Sequence, residues 1–254
     1  MLTKKQEKYV KSLHQLKGRR QASAFFFEGH KMAVEGLGES QLDVEQIYAL
    51  DSWIEANGQD LGDSLAQKIV AVSEREMKKI SALKTPTPVL VVAKQPEMEQ
   101  SILSESKGLT AIYLEGIQNP GNMGTILRVG DWFGVDQVIA SPESVDFFNP
   151  KVIQASMSSI FKVKLAVWDL DTLAQKKKNN QLWATAMEGT PVQRMDKTTH
   201  PVILMIGNEG TGLSPKAFEL SDAIVSIPGH PGRKAESLNA AMATGIFCNS
   251  FVTI

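Results

Sequence analysis

A single cysteine, Cys248, excludes an intrachain disulfide and any metal site built from several thiolates. The four histidines, His14, His30, His200 and His230, are scattered without the paired spacing of a metal-binding helix, so no metal cofactor is expected. No apolar run approaches the ~20 residues of a membrane span, and the first twenty residues, MLTKKQEKYVKSLHQLKGRR, are too polar for a secretory signal. A cytoplasmic protein without a membrane partner is therefore expected. The 19 glycines follow no period, and 43% of residues are hydrophobic, which excludes collagen-like and disordered classes. What remains is a globular chain of 254 residues, long enough for one large domain or two modest ones.

The net charge of −1 conceals an uneven distribution. Residues 1–31 hold eight cations, Lys4, Lys5, Lys8, Lys11, Lys17, Arg19, Arg20 and Lys31, against Glu7 and Glu28, whereas residues 32–67 hold eight acids and no Lys or Arg. Such a local basic cluster is the footprint expected of phosphate contact, although a solvated helix face has the same composition.

Periodicity predicts a first helix over 3–17, then strands at 25–27, 44–50, 68–72 and 88–93 separated by helices around 29–37, 52–57 and 74–82. This is a small α/β unit, placed at 1–95. Residues 96–108 are polar and read as a linker. From 109 to 254 strands near 110–117, 137–140, 163–168, 181–187, 201–207 and 223–227 alternate with helices near 122–133, 150–160, 170–178, 214–220 and 236–251. That rhythm predicts a mostly parallel sheet covered on both faces, with ligands bound beyond the carboxyl ends of its strands.

Three strand exits are unusual. Leu114 is followed by Glu-Gly-Ile-Gln-Asn-Pro-Gly-Asn-Met-Gly, with Arg128 one turn into the next helix. Open amides at a helix start suit an anion, yet Asn-Pro-Gly is also an ordinary turn. The apolar strand ending at Ile206 runs into Gly207-Asn208-Glu209-Gly210-Thr211-Gly212, where three glycines in six residues suit close backbone approach by a ligand. It lacks the lysine and spacing of a phosphate-cradling P-loop, and Ser214-Pro215 caps a helix in any case. The third exit is Ile227-Pro228-Gly229-His230-Pro231-Gly232-Arg233-Lys234-Ala235-Glu236-Ser237-Leu238-Asn239.

Taken together and in this order, these loops resemble the three motifs of the SpoU (TrmH-type) RNA ribose 2'-O-methyltransferases: Asn122, Gly124 and Arg128; then Gly207, Glu209, Gly210 and Gly212; then Ile227, Pro228, Ser237, Leu238 and Asn239. The stretches Asn149-Pro150-Lys151 and Ala155-Ser156-Met157 fit the same pattern. The amino-terminal Lys17-Gly18-Arg19-Arg20 and Phe27-Glu28-Gly29 resemble, more weakly, the family's L30e-like substrate-binding domain. The third loop departs from the pattern by about two extra residues, and Ser158 and Lys164 replace the usual Gly and Pro.

The resemblance implies an α/β trefoil-knot (SPOUT-type) methyltransferase domain behind a smaller α/β L30e-like domain, a homodimer, and S-adenosylmethionine as cofactor. It implies catalytic roles for Arg128, Glu209 and Asn239. In this reading Arg128 holds a phosphate and stabilises a developing alkoxide, Glu209 orients Arg128 or the cofactor, and Asn239 fixes ground-state geometry. Gly207, Ile227, Ser237 and Leu238 would hold the cofactor largely through main-chain groups. No Gly-x-Gly-x-Gly turn of a Rossmann methyltransferase is present. Asn122 would contact RNA, with Lys17, Arg19 and Arg20 on its phosphates. The size of the amino-terminal unit favours large-subunit rRNA as substrate; a tRNA 2'-O-methyltransferase and a non-catalytic RNA-binding or assembly protein are the alternatives.

Overall fold

The computed structural model describes residues 1–102, 107–196 and 199–251. Its contacts divide the chain into two compact units, Met1–Glu97 with Asp146–Phe161, and Met98–Val145 with Lys162–Ile254.

In the first unit, α1 (Lys4–Leu13) begins at a capping box in which Thr3 and Gln6 satisfy each other's backbone amides. The helix expected over 3–17 is broken: Gln15 is extended, and a second helix, α2 (Leu16–Ala22), turns back so tightly that a Cβ on Gly18 would lie 2.0 Å from Ser12 O. Then come β1 (Ala24–Glu28), α3 (His30–Leu37), β2 (Val44–Ala49), α4 (Asp51–Asn57), α5 (Gly62–Ala66), β3 (Ile69–Ala71), α6 (Glu74–Ile80) and β4 (Val89–Lys94). The sheet order is β1-β4-β2-β3, with β4 antiparallel to both neighbours and β2 parallel to β3. Val10, Leu13, Met77 and Ile80 from α1 and α6 pack with Phe26, Tyr48, Leu90 and Val92 to form one core.

Every residue of β1 is buried, so its second face also needs a cover. Asp146–Phe161 provides it: Phe148 packs on Phe25 with centroids 4.8 Å apart, and Phe161 meets Phe27 edge-on at 4.9 Å. This segment contains α8 (Pro150–Ser156), capped by Asn149 with proline in its first turn. By sequence it lies inside the region read as 109–254, yet its contacts are with the first unit.

The second unit contains β5 (Gly108–Leu114), α7 (Pro120–Trp132), β6 (Gln137–Ala140), β7 (Lys164–Val167), α9 (Leu170–Lys176), β8 (Gln181–Pro191), β9 (Pro201–Ile206), α10 (Pro215–Leu220), β10 (Ala223–Ser226) and α11 (Ala240–Asn249). Part of the expected 96–108 linker belongs here: Glu99 N–H donates to Leu165 O at 2.8 Å and Ile102 is buried, while 103–106 lie outside the described residues. The six strands run in the order β10-β8-β9-β5-β6-β7, every adjacent pair parallel. From β5 the chain moves outward to β6 and β7, then crosses to the opposite side as β8, places β9 between β8 and β5, and ends at the edge as β10. The order reverses between β5 and β9, and a parallel sheet opens a crevice at the carboxyl ends of such strands.

Candidate active site

The loops leaving β5 and β9 meet at that reversal. After β5, Asn119 caps α7: its Oδ1 accepts from Gly121 N at 2.8 Å and Asn122 N at 3.3 Å, with Pro120 in the first turn. Two residues into the helix proper, Asn122 is turned inward and is only 8% exposed.

After β9 the chain makes a narrow turn. Asn208 N–H and Gly212 O are 3.1 Å apart, and Gly212 N–H reaches Asn208 O at 2.9 Å. Asn208 also uses both ends of its side chain, donating to Gly116 O and accepting from the Gly210 and Thr211 amides. Glycine is required at 207, because a Cβ there would lie 2.2 Å from Gly212 C and Leu213 N. Glu115, the first residue after β5, anchors the far end by accepting from Ser214 N–H at 2.8 Å and Ser214 Oγ at 2.7 Å.

Three motif side chains are joined in one line. Asn122 Nδ2 donates to Glu209 Oε1 at 2.8 Å, and Asn239 Nδ2 donates to Asn122 Oδ1 at 2.8 Å. Asn239 Oδ1 in turn caps α11, accepting from Ala241 N at 3.0 Å and Met242 N at 3.2 Å. A carboxylate only accepts, so Glu209 dictates which end of the Asn122 amide faces it; that choice leaves Oδ1 for Asn239 and fixes the orientation of both amides. Asn119 N–H is a further, longer donor to Glu209 Oε1 at 3.4 Å.

Arg128 stands apart from this line. It shares the exposed stripe of α7 with Gly121, Thr125 and Trp132, and its guanidinium has no hydrogen-bond or ion-pair partner among the described residues. Of the two partners expected for Glu209, Arg128 or the cofactor, Arg128 is not the one it meets here: the Glu209 carboxylate accepts from Asn122. Asn122, expected to face RNA, is buried with both ends of its amide engaged.

The remaining positions lie on the chain between β10 and α11. Ile227 is half-buried where β10 ends, and from 228 to 239 every residue is exposed. Within that loop Arg233 N–H bonds to His230 O at 3.0 Å and Gly232 N–H to His230 Nδ1 at 3.0 Å. Ser237 and Leu238 are exposed, and helix α11 begins at Ala240 rather than at 236.

Of the basic amino-terminal residues, Lys17 and Arg20 are exposed, but Arg19 is 2% exposed. Its Nε and Nη2 lie 2.8 and 2.7 Å from Asp146 Oδ2, and Nη1 donates to Leu13 O at 2.9 Å. A guanidinium so committed cannot reach a phosphate, which corrects its assignment as an RNA contact.

Burial pushes the thiol of Cys248 up to about 12, so it offers no thiolate nucleophile. Among the described residues no group of three or more His, Cys, Asp or Glu could hold a metal ion, and no helix is long and apolar enough to cross a membrane.

Sequence reasoning missed Glu115 and Asn208, which shape the β9 loop without touching its exposed face. The signal for Glu115 was present: an acid directly after a buried strand, facing a helix start that needs an acceptor for its free amides.

Residues 110–249 match the SpoU rRNA Methylase family, and residues 4–91 match an MRM3-like substrate binding domain. A 23S rRNA guanosine 2'-O-methyltransferase of Bacillus subtilis (strain 168) is 26% identical over 239 residues, covering 93% of this chain and 91% of its own. The structure of a TrmH-family protein from Porphyromonas gingivalis superposes with a TM-score of 0.86 at 31% identity, covering 99% and 98% of the two chains. That of an rRNA methyltransferase from Sinorhizobium meliloti, solved with AdoMet bound, does so with a TM-score of 0.86 at 26% identity, covering 98% and 95%. With the three motif loops gathered at one sheet edge and more than half of the chain matched, this protein belongs to the SpoU family of RNA methyltransferases.

Proposed function

We propose that the chain transfers a methyl group from S-adenosylmethionine to a ribose 2'-hydroxyl of RNA, with large-subunit rRNA as the substrate. The observation that carries this reading is the Asn239–Asn122–Glu209 line at the β5/β9 crevice, with an uncommitted Arg128 on the helix that supplies Asn122. Membership of the family also implies the trefoil-knotted connection.

The residues fit the cofactor. Gly207 admits no side chain, and the exposed stretch from 228 to 238 offers main-chain groups that the protein leaves largely unpaired among the described residues. Such a wall can read an adenine edge through N–H and C=O groups, while Ile227 and Leu238 cover its faces. When bound, S-adenosylmethionine would supply a sulfonium methyl group: the ribose oxygen gains the methyl as the sulfur–methyl bond breaks, the cofactor leaves as a neutral thioether, and the hydroxyl proton passes to water.

An alcohol is a poor nucleophile, and the protein's contribution is to position it and stabilise the charge that grows on its oxygen. Arg128 does both, holding the neighbouring phosphate and facing the developing alkoxide; a guanidinium stays protonated and so acts by charge rather than as a base. Glu209 and Asn239 act on the shape of the site by locking the second- and third-motif loops to Asn122.

A homodimer accords with the apolar side chains left in solvent near the packed pair α7 and α11: Trp132 is 83% exposed, Met242 64%, Leu238 49% and Ile246 38%. Lys17 and Arg20 carry the phosphate contacts of the amino-terminal unit, and a cytoplasmic location goes with this substrate.

The test is methyl transfer from labelled S-adenosylmethionine to rRNA and to tRNA transcripts. The reading expects labelled rRNA with the parent protein, and a loss of about 10²–10³ in rate for Arg128→Ala with cofactor binding retained. Full turnover by that variant would remove Arg128 from the chemistry, and absence of cofactor binding by the parent would favour a non-catalytic RNA-binding protein.

A further inference from the structure

Arg19 is the largest charged side chain that the molecule buries, and its surroundings assign it a task other than contacting RNA. Its Nη1 satisfies two carbonyls at the end of α1, Leu13 O at 2.9 Å and His14 O at 3.2 Å. Its Nε and Nη2 converge on Asp146 Oδ2. A fork that binds two helix-terminal carbonyls and one carboxylate leaves its head no freedom to turn.

Asp146 opens the segment that covers β1. Beyond it, Asn149 N–H bonds back to Asp146 O at 3.0 Å, and Phe148 and Phe161 take their places on Phe25 and Phe27. A Cβ on Gly36 would lie 2.9 Å from Phe27 and 3.0 Å from Phe161, so α3 closes on the same rings only because residue 36 is glycine.

On the other side of the peptide bond stands Val145, whose N–H donates to Ile117 O at 2.8 Å. The loop from Ser141 to Val145 holds the first-motif loop at several further points: Ser144 Oγ accepts from Ile117 N at 3.1 Å, Ser141 Oγ accepts from Gly116 N at 3.0 Å, and Gln118 Nε2 donates to Glu143 O. Asn119, the cap of α7, follows directly. One peptide bond therefore separates a residue clamped by Arg19 from a residue clamped to the loop that presents Asn122 and Arg128.

We propose that Arg19 and Asp146 are positioning residues for methyl transfer: by fixing the chain at Asp146, next to Val145, they restrict the 141–145 loop that braces the first-motif loop. This rests on the RNA methyl-transfer reading above. The pair touches neither cofactor nor substrate. Its effect belongs in the turnover of bound RNA, because a misplacement of about 1 Å at reacting atoms costs roughly 10²-fold in rate.

The experiment compares the full-length parent with Asp146→Asn and Arg19→Lys in four measurements: thermal melting, S-adenosylmethionine affinity by calorimetry, RNA affinity, and kcat and KM for methyl transfer to rRNA. Asp146→Asn keeps the shape and removes the charge; Arg19→Lys keeps the charge and loses the fork. Positioning predicts cofactor and RNA affinities within about 2-fold of the parent and kcat on RNA lowered by about 10- to 100-fold in Asp146→Asn, with a smaller loss in Arg19→Lys. A lowered melting temperature with kcat unchanged in either folded variant would make the pair merely structural and overturn the proposal. So would a rate loss matched by an equal loss of cofactor affinity. If Asp146→Asn does not fold, Arg19→Lys decides by the same criteria. A parent that transfers no methyl group to RNA would instead overturn the functional reading on which the proposal stands.

Discussion

Replacing Gly207 by alanine adds one methyl group where the structure has no room for it. The new Cβ would stand 2.2 Å from both Gly212 C and Leu213 N, and 2.6 Å from Gly212 O. Those are backbone atoms, so no rotamer change relieves the clash; the turn closed by Asn208 and Gly212 has to open. Overpacking of this kind costs about 1–3 kcal/mol. If that strain is released by opening the turn, the cofactor must close it again, which weakens binding by roughly 5- to 150-fold, since 1.4 kcal/mol is tenfold. Gly210→Ala is the control from the same motif: its Cβ would meet only Asn208 Oδ1, at 3.5 Å, an ordinary contact. Calorimetry with S-adenosylmethionine on the parent and the two variants, with melting curves to verify folding, gives the comparison. Affinity for Gly207→Ala within 2-fold of Gly210→Ala would refute the argument that the turn's closure shapes the cofactor wall.

Other consequences concern charge. Asn122→Asp places a second carboxylate at hydrogen-bond distance from Glu209, and two such groups bind a shared proton with one raised pKa. Its cofactor affinity should be poor at alkaline pH and recover as pH falls, and an affinity independent of pH would show that the Asn122–Glu209 bond does not order the site. Glu28, buried at the end of β1, accepts from Ser81 Oγ and from Ala82 N–H, and burial raises its pKa above the usual 4.5 despite these donors. The folded state then holds the proton more tightly than the unfolded one, so this group's contribution is full below the ordinary value and is lost as pH rises through the folded value. A melting-temperature profile across that interval should fall in the parent and flatten in Glu28→Gln; parallel profiles would contradict the assignment. Replacing Lys17 and Arg20 together by alanine should reduce the magnitude of the salt slope of RNA binding by about 0.7–0.9 per lost phosphate contact and leave cofactor affinity alone; an unchanged slope would return both to a solvated face.

Much of this architecture was legible because its punctuation is local. Asn119-Pro120, Asn149-Pro150 and Ser214-Pro215 each place a capping side chain before a proline in the first turn, and each starts a helix. The strands of the second unit could be read from unbroken apolar runs such as 202–206. What could not be read depends on distant partners. Nothing near Arg19 distinguishes it from Lys17 or Arg20, because the residue that buries it lies 127 positions away. The apolar Phe147 and Phe148 announce burial without saying against which sheet. The first helix breaks at Gln15, which is extended, and α2 folds back until Gly18 lies against Ser12, a close approach that periodicity does not register. In the site, motif spacing picked out Asn122, Glu209 and Asn239, but their mutual hydrogen bonds required the sheet order that brings β5 beside β9.

The central claim is that a ribose oxygen of RNA receives the methyl group. The direct measurement is to label rRNA with methyl-tritiated S-adenosylmethionine in the presence of the protein and then hydrolyse the RNA in alkali. A 2'-O-methyl group removes the hydroxyl that attacks the adjacent phosphodiester, so the account predicts label in alkali-stable dinucleotides, and its near loss with Arg128→Ala. Label recovered in mononucleotides, which marks methylation of a base, would contradict it, as would unlabelled RNA from a protein that binds the cofactor.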